Sequence, residues 1–290
     1  MSHADTVMTS ADVGTFLSAA GDFLRRTPVE HSVLLTRSAQ ALDEPADVRA
    51  RQLWCWVHDP DGRVVMAAMR TPPYPLALSR ADPDAVRALA THLADRHVAL
   101  EGVSGPEAAV TAFADGWNRS TGGTATLRMR QGTYSADGIR PPAGVPGRRR
   151  LAHAGDAPLL QAWAEAFAGE TGSPATGSDL VRDRIGRGLL HVWQCDGRLV
   201  SMTAVTVARA GVSRVQLVYT PAAERGRGFA GALVAAVSQQ VLAQGTVPML
   251  HTDAENSTSN AIYQRIGYTA LGANLMLDLS PGPSGWTPIA

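Results

Sequence analysis

A short piece of this chain occurs twice. Trp56 through Met66 reads WVHDPDGRVVM and Trp193 through Met202 reads WQCDGRLVSM, with the two Asp-Gly-Arg triplets 135 residues apart. In each copy an apolar strand runs into a glycine turn and returns, which is the pattern of a β-hairpin. Between the copies lies the clearest seam, Asp137 to Arg150. There Pro141, Pro142, Gly144, Pro146 and Gly147 fall within seven residues and three arginines follow. Such a stretch interrupts regular structure. Duplicated hairpins on either side of a central seam lead us to expect two similar domains, residues 1–140 and 151–290, joined by a linker at 141–150.

The flanking periodicities agree with a duplication. In the first half, helical patterns cover Asp12 to Arg25 and Pro28 to Leu42, the second opened by a capping box of Thr27 and Glu30. Strands are predicted at Leu53–Val57 and Val64–Arg70, then a helix from Asp82-Pro83 to Arg96, a strand at His97–Leu100, another helix, and an alternating strand at Thr124–Tyr134. The second half repeats the order. Its helices are predicted at Asp156–Ala168 and Ser178–Gly186, and its strands at Leu190–Cys195, Leu199–Val207 and Val212–Tyr219. Helix, strand, helix and a closing strand at Leu271–Leu279 complete it. The expected fold class is α+β, two tandem domains of mixed sheet with helices.

Composition removes several functions. All 26 basic residues are arginine, so phosphate loops of the Gly-Lys-Ser/Thr type, pyridoxal Schiff bases and kinase-type ATP clamps are excluded. The 26 acidic residues balance them, so neither a nucleic-acid partner nor an anionic membrane is expected. Cys55 and Cys195 sit in apolar strand patterns, as buried thiols of a reducing compartment do, and the first residues lack the pattern of a secretory signal. Cytoplasm is the expected location. Gly228 to Leu250 carries no ionisable side chain for 23 residues, but Gln239, Gln240, Gln244, Gly245 and Pro248 mark it as helix, turn and strand. No metal set is evident: His92 and His97 stand five apart without companions.

The chemistry gathers after the strand ending at Tyr219. There the chain reads Thr220-Pro221-Ala222-Ala223-Glu224-Arg225-Gly226-Arg227-Gly228-Phe229-Ala230 and becomes a helix with Phe229, Leu233, Val237 and Val241 at four-residue spacing. A glycine-rich turn that opens a helix leaves backbone N–H groups unpaired at the positive end of the helix dipole, which suits a pyrophosphate. Further on, a strand at Val247–Thr252 precedes Asp253-Ala254-Glu255-Asn256, and Tyr263 follows Asn256 by seven residues, ahead of Gly267-Tyr268. In the first half the equivalent of the glycine turn reads Leu78-Ser79-Arg80-Ala81-Asp82-Pro83-Asp84-Ala85, with no glycine and with two carboxylates at the helix start. Only the second half is expected to bind an anion there.

Strand, Arg-x-x-Gly-x-Ala, helix, strand, Asn with Tyr seven residues on, then Gly-Tyr: this order resembles the GNAT superfamily of N-acyltransferases. The resemblance covers Arg150 to Leu279 best, and the duplication makes the whole chain similar to tandem GNAT proteins with a degenerate first domain. It implies transfer of an acetyl group from acetyl-coenzyme A to a primary amine on a small acceptor. It further implies that Arg225, Gly226, Arg227, Gly228, Phe229 and Ala230 cradle the pyrophosphate and that Val218, Tyr219 and Thr220 hold the acetyl-pantetheine arm. Asn256 and Ser259 would contact the pantetheine, and Tyr263 would protonate the departing thiolate. The strand Arg214–Tyr219 lacks the glutamate that many relatives carry. Glu170 is therefore the candidate base, with His191, His251, Asp253 or a water relay as alternatives. A non-catalytic coenzyme A sensor is the rival reading; it would keep the glycine turn but need neither Tyr263 nor an acceptor cleft.

Overall fold

The computed structural model describes residues 5–172, 178–280 and 282, which fall into two compact units. The first is Met1–Gly132 with Asp253–Glu255 and Gly272–Ala290, and the second is Thr133–Thr252 with Asn256–Leu271. The division is thus discontinuous in sequence, unlike the single cut expected at 141–150.

The first unit runs β1 (Thr6–Ser10), α1 (Val13–Arg26), α2 (Ser32–Ala41), α3 (Ala46–Arg49), β2 (Leu53–His58), β3 (Val64–Arg70), β4 (Leu76–Leu78), α4 (Pro83–Asp95), β5 (Gly102–Pro106), α5 (Glu107–Thr121) and most of β6 (Thr124–Ser135). β1, β2, β3 and β4 pair antiparallel in that order and β4 pairs β5 in parallel. Alternation along β2 sends Cys55 and Val57 to a core under α4 and α5, and Trp54 and Trp56 to a second core under α1 and α2. Burial holds the Cys55 thiol up at about 12. On its other side β5 pairs with β12 (Thr269–Ser280), the last strand among the described residues, which places Leu275, Leu277 and Leu279 in the α4–α5 core.

The second unit runs β7 (Arg148–Leu151), α6 (Ala157–Thr171), α7 (Ser178–Gly186), β8 (Leu190–Cys195), β9 (Arg198–Val205), β10 (Val212–Tyr219), α8 (Phe229–Ala243), β11 (Val247–Asp253) and α9 (Ser257–Arg265). β7 to β10 are antiparallel neighbours and β11 joins β10 in parallel. Trp193 and Cys195 face α8, while Leu190 and Val192 face Leu160 and Trp163 of α6. The duplicated hairpins β2–β3 and β8–β9 turn at Gly62 and Gly197, with φ of 80° and 75°, values that favour glycine. The long uncharged stretch resolves into α8, a turn and β11, and no helix among the described residues is long and apolar enough to cross a membrane.

Three local readings need correction. Thr27 caps the end of α1 and α2 starts only at Ser32, so Thr27 and Glu30 form no capping box. Instead Thr27 Oγ1 meets His31 Nδ1 at 3.3 Å. The strand expected at His97–Leu100 lies at Gly102–Pro106, because His97 takes a positive φ of 54° just past α4. β1 and the three-residue β4 carried too little periodicity to be seen. The Pro/Gly stretch and its flanks are tied down at several points. Arg148–Arg150 form β7, Arg140 N donates to Ile266 O (2.9 Å), Trp193 Nε1 donates to Pro146 O (2.9 Å), and Ile139 and Val145 pack on the α8 core.

Two histidines stay neutral inside the second unit. His191 contacts Arg149 (3.0 Å) and His251 contacts Thr133 (3.1 Å); burial, reinforced by Arg149 and Arg214 respectively, lowers both from 6.5 to about 4. The unfolded chain takes up these protons first as pH falls, so stability is expected to drop between about 6.5 and about 4. Denaturant unfolding across that window should show the slope, and His191→Gln should flatten it. For the first unit, Leu277→Ala is expected to cost about 2–5 kcal/mol. A chain ending at Leu271 should lose hydrogen-exchange protection in α4 and α5; retained protection would show that β12 is dispensable there.

Candidate active site

β10 carries a defect that shapes everything around it. Its register against β9 slips between Gln216 and Tyr219, and Leu217 sits at φ 55° although it is a buried leucine. A bulge inserts a residue and reverses the alternation of faces. Val215 packs with α8, whereas Leu217 and Tyr219, of the same parity, pack with α6. Pairing between β10 and β11 also stops early, at Arg214 opposite Met249. Beyond that point the two parallel strands share no further register pairs, and the end of β10, with Val218, Tyr219 and Thr220, leaves its ladder with β11 while Tyr219 still pairs with Met202 of β9.

The released end leads into a tight 3-10 turn, Ala222–Glu224, and then into α8. Gly226 and Gly228 have φ of 77° and 81°, and Gly228 caps α8 without any side-chain hydrogen bond. The first intrahelical bond runs from Ala232 N to Gly228 O, so the amides of Phe229, Ala230 and Gly231 have no acceptor among the described residues. These are the free, convergent donors that an anion requires. The two glycines differ in surroundings. A Cβ at Gly226 would meet nothing, while one at Gly228 would lie 3.1 Å from Val145 Cγ2. Arg227 pairs with Glu224 and lies over the Phe229 ring at 4.7 Å.

Val218, Phe229 and Tyr263 share one apolar cluster, so the structure brings together residues from three separate stretches of sequence. Gly231 allows this approach: a Cβ there would sit 3.3 Å from Ile262 Cγ2, which keeps α9 close to the start of α8. Tyr263 is buried edge-on to Tyr268 at 6.1 Å, and burial pushes its phenol up to about 12. Asn256 is exposed and caps α9, its Oδ1 accepting from Ser259 N at 3.0 Å. Asn256 and Ser259 therefore already serve one another, and Asn256 does not share the buried environment of Tyr263.

The acceptor-side candidates separate clearly. Glu170, near the end of α6, gives both carboxylate oxygens to Arg225 NH2 at 2.7 Å, and Glu170 is the chief reason the guanidinium is held above its usual range. Arg225 Nε also donates to Thr220 O at 2.9 Å. His191 and His251 are the neutral residues described above, and Asp253 accepts from Glu255 N at 2.9 Å in an exposed turn. Ser201 carried no signal in the sequence, since a serine on a hydrophobic strand has no distinctive spacing. It is fully buried, donates to Tyr219 O at 3.0 Å and accepts from Thr220 Oγ1 at 2.9 Å.

The corresponding place in the first unit is closed. Asp82 caps α4 by accepting from Asp84 N at 2.9 Å, so its own carboxylate fills the position where an anion would approach. β4 and β5 do not part either. They pair at Leu76–Val103 and Ala77–Ser104, and a Cβ on the next residue, Gly105, would lie 2.7 Å from Leu78 O. No group of three metal-ligating side chains occurs among the described residues.

Residues 193–277, which include the β10 bulge, the glycine turn and Tyr263, match the FR47-like protein family. No curated protein matches the chain. Among solved structures, a GCN5-related N-acetyltransferase from Sphaerobacter thermophilus is 18% identical, with 97% of this chain and 98% of that one covered at a TM-score of 0.62. A GNAT-family acetyltransferase from Colwellia psychrerythraea is 12% identical over 94% and 99% of the two chains, at 0.58. A tandem GNAT protein from the clavulanic acid biosynthesis pathway is 16% identical over 97% and 100%, at 0.54. At these identities the likeness is one of fold, and it spans nearly the whole length: the chain has a tandem GNAT fold, and its second half carries an FR47-like segment.

Proposed function

We propose that this protein is an acetyl-coenzyme A dependent N-acetyltransferase with one active site, in the second unit, acting on a primary amine of a small molecule by direct attack in a ternary complex. The observation that carries the reading is the coincidence of the parted β10–β11 pair with the uncapped, glycine-opened start of α8. A parted strand offers backbone donors to an extended, amide-bearing chain, and the helix start beside it offers donors to a pyrophosphate. Acetyl-coenzyme A has both parts. In this assignment Gly226 to Ala230 hold the pyrophosphate, with Phe229 and Ala230 amides as the donors, while the Arg225 side chain is turned away onto Thr220 and Glu170. Val218, Tyr219 and Thr220 hold the acyl arm, and a strand-end N–H polarises the thioester carbonyl.

Tyr263 acts on the leaving group. Burial keeps the phenol protonated at neutral pH, the form that a general acid needs. The same burial disfavours a thiolate departing beside the phenol, so the phenol donates toward sulfur as the charge develops. The phenol therefore supplies a strong hydrogen bond as the C–S bond breaks, and the proton lost by the attacking amine restores the balance. Glu170, engaged by Arg225, is less suited to be the base, so the amine attacks in its neutral form and the proton it sheds afterwards passes through a water relay, ending on the thiol that leaves.

Release of free thiol from acetyl-coenzyme A, followed across a panel of small amines, tests the reading; binding without turnover on any amine would favour the sensor. Tyr263→Phe should leave acetyl-coenzyme A affinity nearly unchanged and reduce turnover roughly 10²- to 10⁴-fold. Unchanged turnover would return Tyr263 to the core.

A further inference from the structure

The end of β10 has lost its ladder to β11, yet the proposed reaction needs that end held still. On its other side Tyr219 keeps its pairing with Met202 of β9, so one ladder alone holds the backbone there, and misplacement by about 1 Å can cost roughly 10²-fold in rate. Side chains from three other places add to that restraint. Ser201 of β9 holds Tyr219 O (3.0 Å). Arg225 holds Thr220 O through Nε (2.9 Å) while its guanidinium lies 5.8 Å from the centre of the Tyr219 ring. Trp163 of α6 also packs against that ring, its centroid 6.1 Å away. Glu170, also on α6, fixes Arg225 with two contacts of 2.7 Å.

Resting on the acyltransfer reading above, we propose that Arg225 and Glu170 form a positioning clamp: Glu170 orients the Arg225 guanidinium, and Arg225 in turn fixes the Thr220 carbonyl and the Tyr219 ring, so that the strand end is presented to the acyl arm in one geometry. Arg225 is the first residue of the glycine-turn motif, but its side chain is turned back on the strand end. Two features favour a positioning role over a stabilising one. Both side chains are about half exposed, at 48% and 50%, where an ion pair contributes little to folding. The contacts are also directional. Arginine can serve a carboxylate and a carbonyl at once through different N–H groups, which a lysine's single ammonium cannot reproduce. The clamp also gives Glu170 a role that does not require it to accept a proton.

The test is kinetic, with wild type, Glu170→Gln, Arg225→Lys and the double variant, all checked for unchanged melting temperature. The clamp predicts that each single variant lowers kcat roughly 10-fold or more while KM for acetyl-coenzyme A moves less than about 2-fold, because alignment is lost and binding is not. The double variant should fall no further than the worse single one, since the residues act as a unit. The pH profile of kcat/KM in Glu170→Gln should keep its acidic limb. Loss of that limb would make Glu170 the base and overturn the clamp. Additive losses, a rise confined to KM, or wild-type turnover in both single variants would overturn it as well. Should wild-type protein fail to release thiol from acetyl-coenzyme A at all, the acyltransfer reading falls first and the clamp with it, an outcome distinct from active wild type with unaffected variants.

Discussion

The parting of β10 from β11 is the constraint on which the chemistry proposed for the second unit depends. A leucine at φ 55° is costly, of the order of 1–3 kcal/mol for such a residue, and it persists only where its surroundings overdetermine it. Here they do. Leu217 and Tyr219 gain burial against α6, Val215 keeps its place against α8, and the strand end emerges on a new path. The same displacement delivers the chain to the 3-10 turn that opens α8 through Gly226 and Gly228. One local strain thus creates both an unladdered edge and a helix start free of capping.

The first unit shows what the same order of elements does without that strain. β4 is three residues long, pairs with β5 without a break, and approaches it so closely that Gly105 tolerates no side chain. Asp82 spends its carboxylate on the amides of its own helix. What remains is a well-packed α+β unit, and its sheet includes β12, the last strand among the described residues. On the proposed reading, fold and activity part company within a single molecule, as they do between proteins.

Most elements were legible because local pattern and tertiary burial agree. The hairpins announced themselves through Asp-Gly-Arg turns that need a positive φ, and α4 through Asp82-Pro83, whose cap and first-turn proline the structure retains. The arginine run at 148–150 misled because charge and neighbouring prolines signal solvent, whereas Arg150 is tied to Asp156 (2.6 and 2.9 Å) and Arg149 to Gln240 (2.5 Å) in a paired strand. At the site, the glycine turn could be read from composition and order. The engagement of Glu170 by Arg225 could not, because the residues stand 55 apart and meet only through folding. Nor could Asn256, Ser259 and Tyr263 be sorted by spacing, since capping and burial separate residues that a helical wheel would group.

The central claim is that one pyrophosphate-binding helix start, the one opened by Gly228, serves the whole chain. Calorimetric titration of the full-length protein with acetyl-coenzyme A tests it most directly. The account predicts one site per chain, abolished by Gly228→Glu, which sets bulk and negative charge among the free amides. Two sites per chain, or a Gly228→Glu protein that binds as the wild type does, would contradict it.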